Sequence, residues 1–142
     1  MGEEELLRLL RATEFWPGSP TARSAIGFGD GRSESVGESR LRVLMYNHGL
    51  PTPVLQAVYF DEDGFVARVD FDFEEYETVV EFDGLLKYAG GSPEVLAREK
   101  AREDRLRALG LQVVRTTWAD LDHPSRTASR IRSAFARSRR TA

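Results

Sequence analysis

The chain of 142 residues contains no cysteine, only two histidines and no long apolar run. Without cysteine there is no disulfide framework, no thiolate metal site and no cysteine nucleophile, so a reducing cytoplasm is the expected compartment. No stretch approaches the roughly 18 apolar residues of a membrane span, and the acidic residues 3–5 are unlike a signal peptide. These absences predict one globular domain of ordinary size with no membrane partner.

Charge is distributed unevenly along the chain. Residues 1–97 carry 8 basic and 18 acidic side chains, whereas residues 98–142 carry 12 basic and 5 acidic ones. The formal net charge of −3 conceals this division. An acidic N-terminal part joined to a basic C-terminal part predicts two separate roles, cation binding and polyanion binding.

Hydrophobic periodicity predicts an α/β fold whose central order is helix, three strands, helix and strand. The predicted elements are helices over residues 3–12, 35–47, 92–109 and 124–138 and strands over residues 53–60, 65–73, 77–83 and 112–116. Three consecutive strands with short connections favour an antiparallel meander. Glycines and serines predict a loop, or a loosely held turn of helix, over residues 21–35.

The second strand has an apolar period of two, with Phe65 to Phe73 at odd positions on one face and Arg68, Asp70 and Asp72 on the other. A turn centred between residues 75 and 76 makes paired positions sum to about 151, which places Asp70 opposite Glu81. Asp83 then shares a face with Glu81. Carboxylates placed opposite each other repel unless a cation lies between them, although the same residues also suit the solvated face of an amphipathic strand.

Oxygen ligands of this kind suit Mg²⁺, which typically takes one or two carboxylates, waters and substrate phosphates. Such an ion orients a water nucleophile and neutralises charge on a phosphodiester. Lys87, four residues after Asp83, is a candidate for positioning that water. Glu38 opens the second helix, where the helix dipole and Arg42 explain it equally well without any function.

Five segments in this order resemble the PD-(D/E)xK nuclease core, and more narrowly the very-short-patch-repair-endonuclease-like domain of the domain-of-unknown-function 559 family, common in actinobacteria. The segments are Gly37-Glu38-Ser39-Arg40-Leu41-Arg42, Arg68-Val69-Asp70-Phe71, Val80-Glu81-Phe82-Asp83-Gly84 with Lys87-Tyr88, residues 99–106, and residues 110–118. Each segment is a weak signal alone, and the order makes the set more specific.

The resemblance implies a restriction-endonuclease-like αβββαβ core over residues 36–120, with a mixed four-stranded sheet flanked by helices. It also implies an N-terminal extension over residues 1–35 and a basic C-terminal helix over residues 121–142. Asp70, Glu81 and the backbone carbonyl of Phe82 are then ligands of Mg²⁺ or Mn²⁺, with Asp83 beside them and Glu38 completing the acidic cluster. One feature departs from the family: Asp83 stands where the family has lysine, which leaves that role unfilled or passes it to Lys87.

The basic C-terminal third offers candidate DNA contacts. Lys100 and Arg102 lie on the helix over residues 92–109, where intrahelical pairs such as Glu103–Arg107 favour a solvated face. Arg126, Arg130 and Arg137 lie on the last helix, which has no acidic residue after Asp122. This helix suits either a phosphate-backbone contact surface or a solubilising tail.

Three functions follow as hypotheses. The first is an Mg²⁺-dependent DNA endonuclease that hydrolyses phosphodiester bonds with a metal-activated water. The second is a catalytically inactive nuclease-fold domain that binds DNA or regulates an antitoxin-like system, which the Asp83 departure motivates. The third is a metal-stabilised interaction domain without affinity for nucleic acid.

Overall fold

The computed structural model describes residues 1–84 and 91–139. The chain divides into two compact units, Met1–Gly31 and Arg32–Ala142. The first unit contains two helices, α1 (Glu3–Arg11) and α2 (Ser19–Phe28). The prediction of a loop or a loosely held turn of helix over residues 21–35 is wrong for residues 21–28, which lie in α2, because Pro20 lies in the first turn of that helix and favours its initiation there.

The second unit is an α/β sandwich. Its elements are α3 (Val36–Asn47), β1 (Val54–Asp61), β2 (Gly64–Phe73), β3 (Thr78–Phe82), α4 (Pro93–Ala108), β4 (Gln112–Thr116), α5 (Trp118–Leu121) and α6 (Pro124–Arg137). The strands lie in the order β1-β2-β3-β4, antiparallel except for the parallel pair of β3 and β4. The predicted mixed four-stranded sheet with flanking helices, and its αβββαβ order, are confirmed.

Helix boundaries follow local signals in the sequence. The Ser35 hydroxyl accepts a hydrogen bond from the backbone N–H of Glu38 at 3.1 Å, and the Ser92 hydroxyl caps α4 in the same way. Gly49 and Gly110, both with positive φ, follow the ends of α3 and α4. The short helix α5 is absent from the sequence prediction, although Thr117 and Asp120 form a capping box at its start.

Two hydrophobic layers cover the two faces of the sheet. One contains residues of α3, α5 and α6, with Leu41 and Ile131 fully buried. The other lies beneath α4, whose Leu106 is fully buried against Val69 and Val79. In the described ranges 1–84 and 91–139, no helix has the length and apolar character needed to cross a membrane.

The sheet departs from simple alternation at one place. Phe71 packs in the α3–α6 layer, whereas Val69, two residues earlier, packs in the α4 layer. Opposite this break on β1 lies Gln56, whose φ of +55° is in the left-handed region. The prediction that the odd positions from Phe65 to Phe73 share one face is therefore wrong, because the alternation of faces breaks between Val69 and Phe71.

Because of the same break in alternation, Asp72 and Asp70 do not share one solvated face of β2. Asp72 is buried on the α4 side, where its carboxylate accepts a hydrogen bond from the Tyr59 hydroxyl at 2.8 Å. Burial raises the pKa of Asp72 above its usual range, and the bond from Tyr59 opposes that shift. The expectation that Asp72 lies on a solvated face with Asp70 is wrong.

Candidate functional site

The predicted strand register is present in the structure. Phe71 lies opposite Val80 and Asp72 opposite Val79, so paired positions of β2 and β3 sum to 151. Just beyond the last pair, the Asp70 carboxylate accepts a hydrogen bond from the backbone N–H of Phe82 at 2.8 Å. Asp70 therefore lies against the Glu81-Phe82 peptide, at the end of β3.

Glu38 reaches this end of the sheet from the first turn of α3. It is buried, and its carboxylate accepts hydrogen bonds from the Ser35 hydroxyl and the Glu34 backbone N–H, both at 2.9 Å. A helix N-terminus stabilises a carboxylate regardless of function. The additional bond from Gln56 Nε2 at 3.2 Å ties Glu38 to the sheet.

Gln56 is a site residue that the sequence predictions missed. Its side chain donates to Glu38 and is also hydrogen-bonded to Asp70, so it joins two of the predicted carboxylates. The register of β1 and β2 places Gln56 across from Asp70, and its φ of +55° is in the left-handed region. The available signal was a lone amide within the otherwise apolar segment of residues 54–58.

Asp70 is half-buried among other acidic groups. Burial raises its pKa to about 6, and the negative charges of Glu38 and Glu81 add to that rise, whereas the Phe82 N–H and Gln56 oppose it. Two carboxylates predicted from the sequence, Glu38 and Glu81, therefore act on a third, Asp70, in the folded protein. Repulsion of this kind is relieved by a bound cation.

Glu81 has a cationic partner from α4 that the sequence did not reveal. Arg102 holds both carboxylate oxygens: its Nη1 lies 3.2 Å from Oε2, and its Nη2 donates to Oε1. The side chains of Glu81 and Arg102 are 12% and 25% exposed, so this ion pair is only partly accessible to solvent. The hydrogen bond raises the pKa of Arg102.

A second arginine extends the site across β4. Arg115 lies beside Glu81 in the parallel pair, and its guanidinium is 2.9 Å from Glu99 and 3.3 Å from Glu103 on α4. It also stands 3.9 Å from the Asp83 carboxylate. The same guanidinium lies 3.9 Å from Glu81 Oε2, so Asp83 and Glu81 share this arginine.

The predicted metal ligands can be compared with what a hard cation needs. In the described part of the chain, no three carboxylate or histidine side chains form a group that could hold an ion. Mg²⁺, however, commonly takes only one or two protein carboxylates. Asp70, Glu81 and the Phe82 carbonyl are the oxygen donors that would hold such an ion, and both Glu81 oxygens accept from Arg102 in this structure. Lys87 lies outside the described residues.

The candidate DNA contacts do not form one cluster. Lys100 and Arg102 belong to α4 on one face of the sheet, whereas Arg126, Arg130 and Arg137 belong to α6 on the other. Several of these side chains have partners within the protein: Arg130 lies 3.2 Å from Asp120, Arg137 bonds Gln112, and Lys100 pairs with Asp104. Arg126 is exposed.

The raised pKa of Asp70 gives a pH prediction for Asp70→Asn. Because the folded-state pKa exceeds the unfolded value, the cost of an ionised Asp70 is present above about pH 6 and disappears as pH falls below about 4. Asp70→Asn should therefore be more stable than wild type at pH 8, by about 1 kcal/mol after discounting for partial exposure. Urea unfolding at pH 8 and pH 4 checks this, and a gain of equal size at both values would contradict it.

Comparison with known proteins gives relatives without an assigned function. The chain is 36% identical over 123 residues to two proteins named as uncharacterized, from two strains of Mycobacterium tuberculosis. The match covers 86% of this chain and 45% of each relative, so the chain spans about half the length of the curated relatives it matches. No family model matches the chain. No solved structure matches it significantly.

Proposed function

We propose that this protein is a metal-dependent DNA endonuclease whose centre lies between β2, β3 and α3. The observation that carries the proposal is the half-buried Asp70, whose pKa is raised to about 6 by burial and further by the charges of Glu38 and Glu81. Groups perturbed by burial and specific neighbours are typical of functional sites. The resemblance of these segments to the PD-(D/E)xK core supports the same assignment.

Each residue has a distinct role in the proposed reaction. Asp70 and Glu81 would hold Mg²⁺ or Mn²⁺ together with the Phe82 carbonyl, and Glu38 would act through Gln56 to orient Asp70. When bound, the ion supplies a polarised water and neutralises charge on the scissile phosphodiester. Asp83 tunes the site through Arg115, and Lys87 remains a candidate for positioning water. The absence of cysteine supports a reducing compartment such as the cytoplasm for the proposed activity.

The test is cleavage of supercoiled plasmid by the purified chain with Mg²⁺ or Mn²⁺, beside the same reaction with EDTA. Asp70→Asn keeps the shape of the side chain and removes its charge. Any cleavage by this variant, purified in parallel, therefore reports a contaminating nuclease. We expect nicked or linear DNA only with wild type and metal. Equal cleavage by wild type and Asp70→Asn would contradict the proposal.

A second function, DNA binding without catalysis, is favoured by a specific observation. Asp83 occupies the position of the family lysine, and its nearby cation, Arg115, is shared with Glu99 and Glu103. A nuclease-fold domain of this type would act as a regulatory element, for example in an antitoxin-like system. Salt-dependent retention of DNA, with no metal-dependent cleavage, would favour this function over the first.

A further inference from the structure

Arg102 connects the acidic site to the helix that covers it. Its guanidinium holds Glu81 by both oxygens and also donates to the backbone carbonyl of Arg68 at 3.4 Å. Glu99, one turn earlier on α4, lies 3.9 Å from the same guanidinium. Arg102 is therefore the nearer of two cations at Glu81, since Arg115 lies 3.9 Å from the same carboxylate, and it has a second acidic neighbour on its own helix.

This pairing conflicts with a metal-ligand role for Glu81 unless Arg102 moves. A divalent cation needs at least one carboxylate oxygen, and two cations crowded on the same carboxylate repel each other. The Arg102 side chain is long and reaches solvent at one edge, so it can leave Glu81 without unfolding α4. The arginine released in this way stands beside the site where a DNA phosphate would lie.

We propose that Arg102 is an exchangeable counter-ion, which binds Glu81 in the free protein and transfers to a DNA phosphate when a divalent cation takes Glu81. This inference rests on the proposed function and names the DNA-binding residue of the same site. Arginine suits this exchange because its planar guanidinium forms the same bidentate hydrogen bonds with a carboxylate and with a phosphate. The family has a lysine at the position of Asp83. In this chain, Arg102 would supply that positive charge from α4.

The exchange predicts opposite effects of one substitution on two ligands. Arg102→Gln removes the competitor for Glu81, so Mn²⁺ measured by calorimetry should bind about threefold to tenfold more tightly. The same variant should bind a short DNA duplex about threefold to tenfold more weakly in Ca²⁺, with a salt dependence reduced by about one phosphate contact. A residue that only supports the fold would not produce this pair of opposite changes.

Arg105→Gln is the matched control. Arg105 lies on the same helix and also binds a carboxylate through two nitrogens, at 2.8 and 2.6 Å, but its partner is Asp61 in the hairpin between β1 and β2. Its removal should leave both affinities unchanged. Arg102→Lys keeps the charge without the bidentate fork, so it preserves the fold if Arg102→Gln does not, and it should still bind Mn²⁺ more tightly than wild type.

The outcomes separate this inference from the proposed function. Unchanged or weaker Mn²⁺ binding in both Arg102 variants would overturn the exchange, since Arg102 would then position Glu81 for the ion. Unchanged DNA binding would overturn the transfer to phosphate. If wild type binds Mn²⁺ and the opposite changes occur without any plasmid cleavage, only the proposed activity fails. If neither wild type nor either variant binds Mn²⁺, both are wrong.

Discussion

Glu81→Gln is expected to lower Mg²⁺-dependent cleavage about a thousandfold while leaving the protein folded. A metal Lewis acid supplies several kcal/mol of transition-state stabilisation, and about 4 kcal/mol corresponds to three orders of magnitude in rate. Glutamine retains the volume of Glu81 and an oxygen that accepts from Arg102. It removes the negative charge with which Glu81 would bind a cation. Single-turnover plasmid cleavage measures the effect, and circular dichroism checks the fold.

Asp83→Asn is the matched control for Glu81→Gln, because both carboxylates stand at the same end of β3. Both carboxylates lie 3.9 Å from Arg115, but the Asp83 side chain is 31% exposed, whereas Glu81 is 12% exposed and its charge acts on Asp70. We expect Asp83→Asn to change the rate by less than about tenfold, since it alters only the surroundings of the site. If Glu81→Gln cleaves plasmid at the wild-type rate, Glu81 is not a ligand of the metal ion.

Gly37→Ala is expected to destabilise the protein by about 2 kcal/mol, although alanine favours a helix over glycine by about 1 kcal/mol. Gly37 is buried in the first turn of α3, and a Cβ there would overlap the ring of Phe82. That ring is held on its other side by Trp118, at 5.1 Å between centroids in an edge-to-face contact. Because Phe82 lies between Glu81 and Asp83 in the chain, we expect displacement of its ring also to reduce activity.

Gly27→Ala is the control for this substitution. Gly27 lies in α2, and a Cβ there would have no neighbour within 4 Å, so alanine should be neutral or slightly stabilising. Denaturant unfolding followed by circular dichroism compares the two variants. If Gly37→Ala proves as stable as wild type, the close packing of Gly37 on Phe82 is not what fixes α3 against the end of β3.

Local signals made most of the fold predictable. Ser35 and Ser92 mark helix starts because each hydroxyl satisfies a backbone N–H of the first turn. The register of β2 and β3 followed from the length of their connection alone, since antiparallel pairing is fixed by the position of the turn. Asp70 was therefore correctly placed against the end of β3.

Non-local and backbone effects were not predictable in the same way. The left-handed conformation of Gln56 inverts which side chains face each layer, and residue identity alone does not specify that conformation. Arg102 and Glu81 are 21 positions apart, and their pairing depends on how α4 lies over the sheet. For the same reason, Arg130 has no acidic neighbour within four residues, yet it pairs with Asp120 from the preceding helix.

The central claim is that Asp70 and Glu81 form a site for a divalent cation. Thermal unfolding of wild type with and without millimolar Mn²⁺ at pH 8, beside Asp70→Asn, tests it most directly. Because a ligand that binds only the folded state stabilises it, we expect Mn²⁺ to raise the Tm of wild type by about 3–8 °C. The Tm of Asp70→Asn should not change. No shift in wild type, or an equal shift in both proteins, would contradict the account.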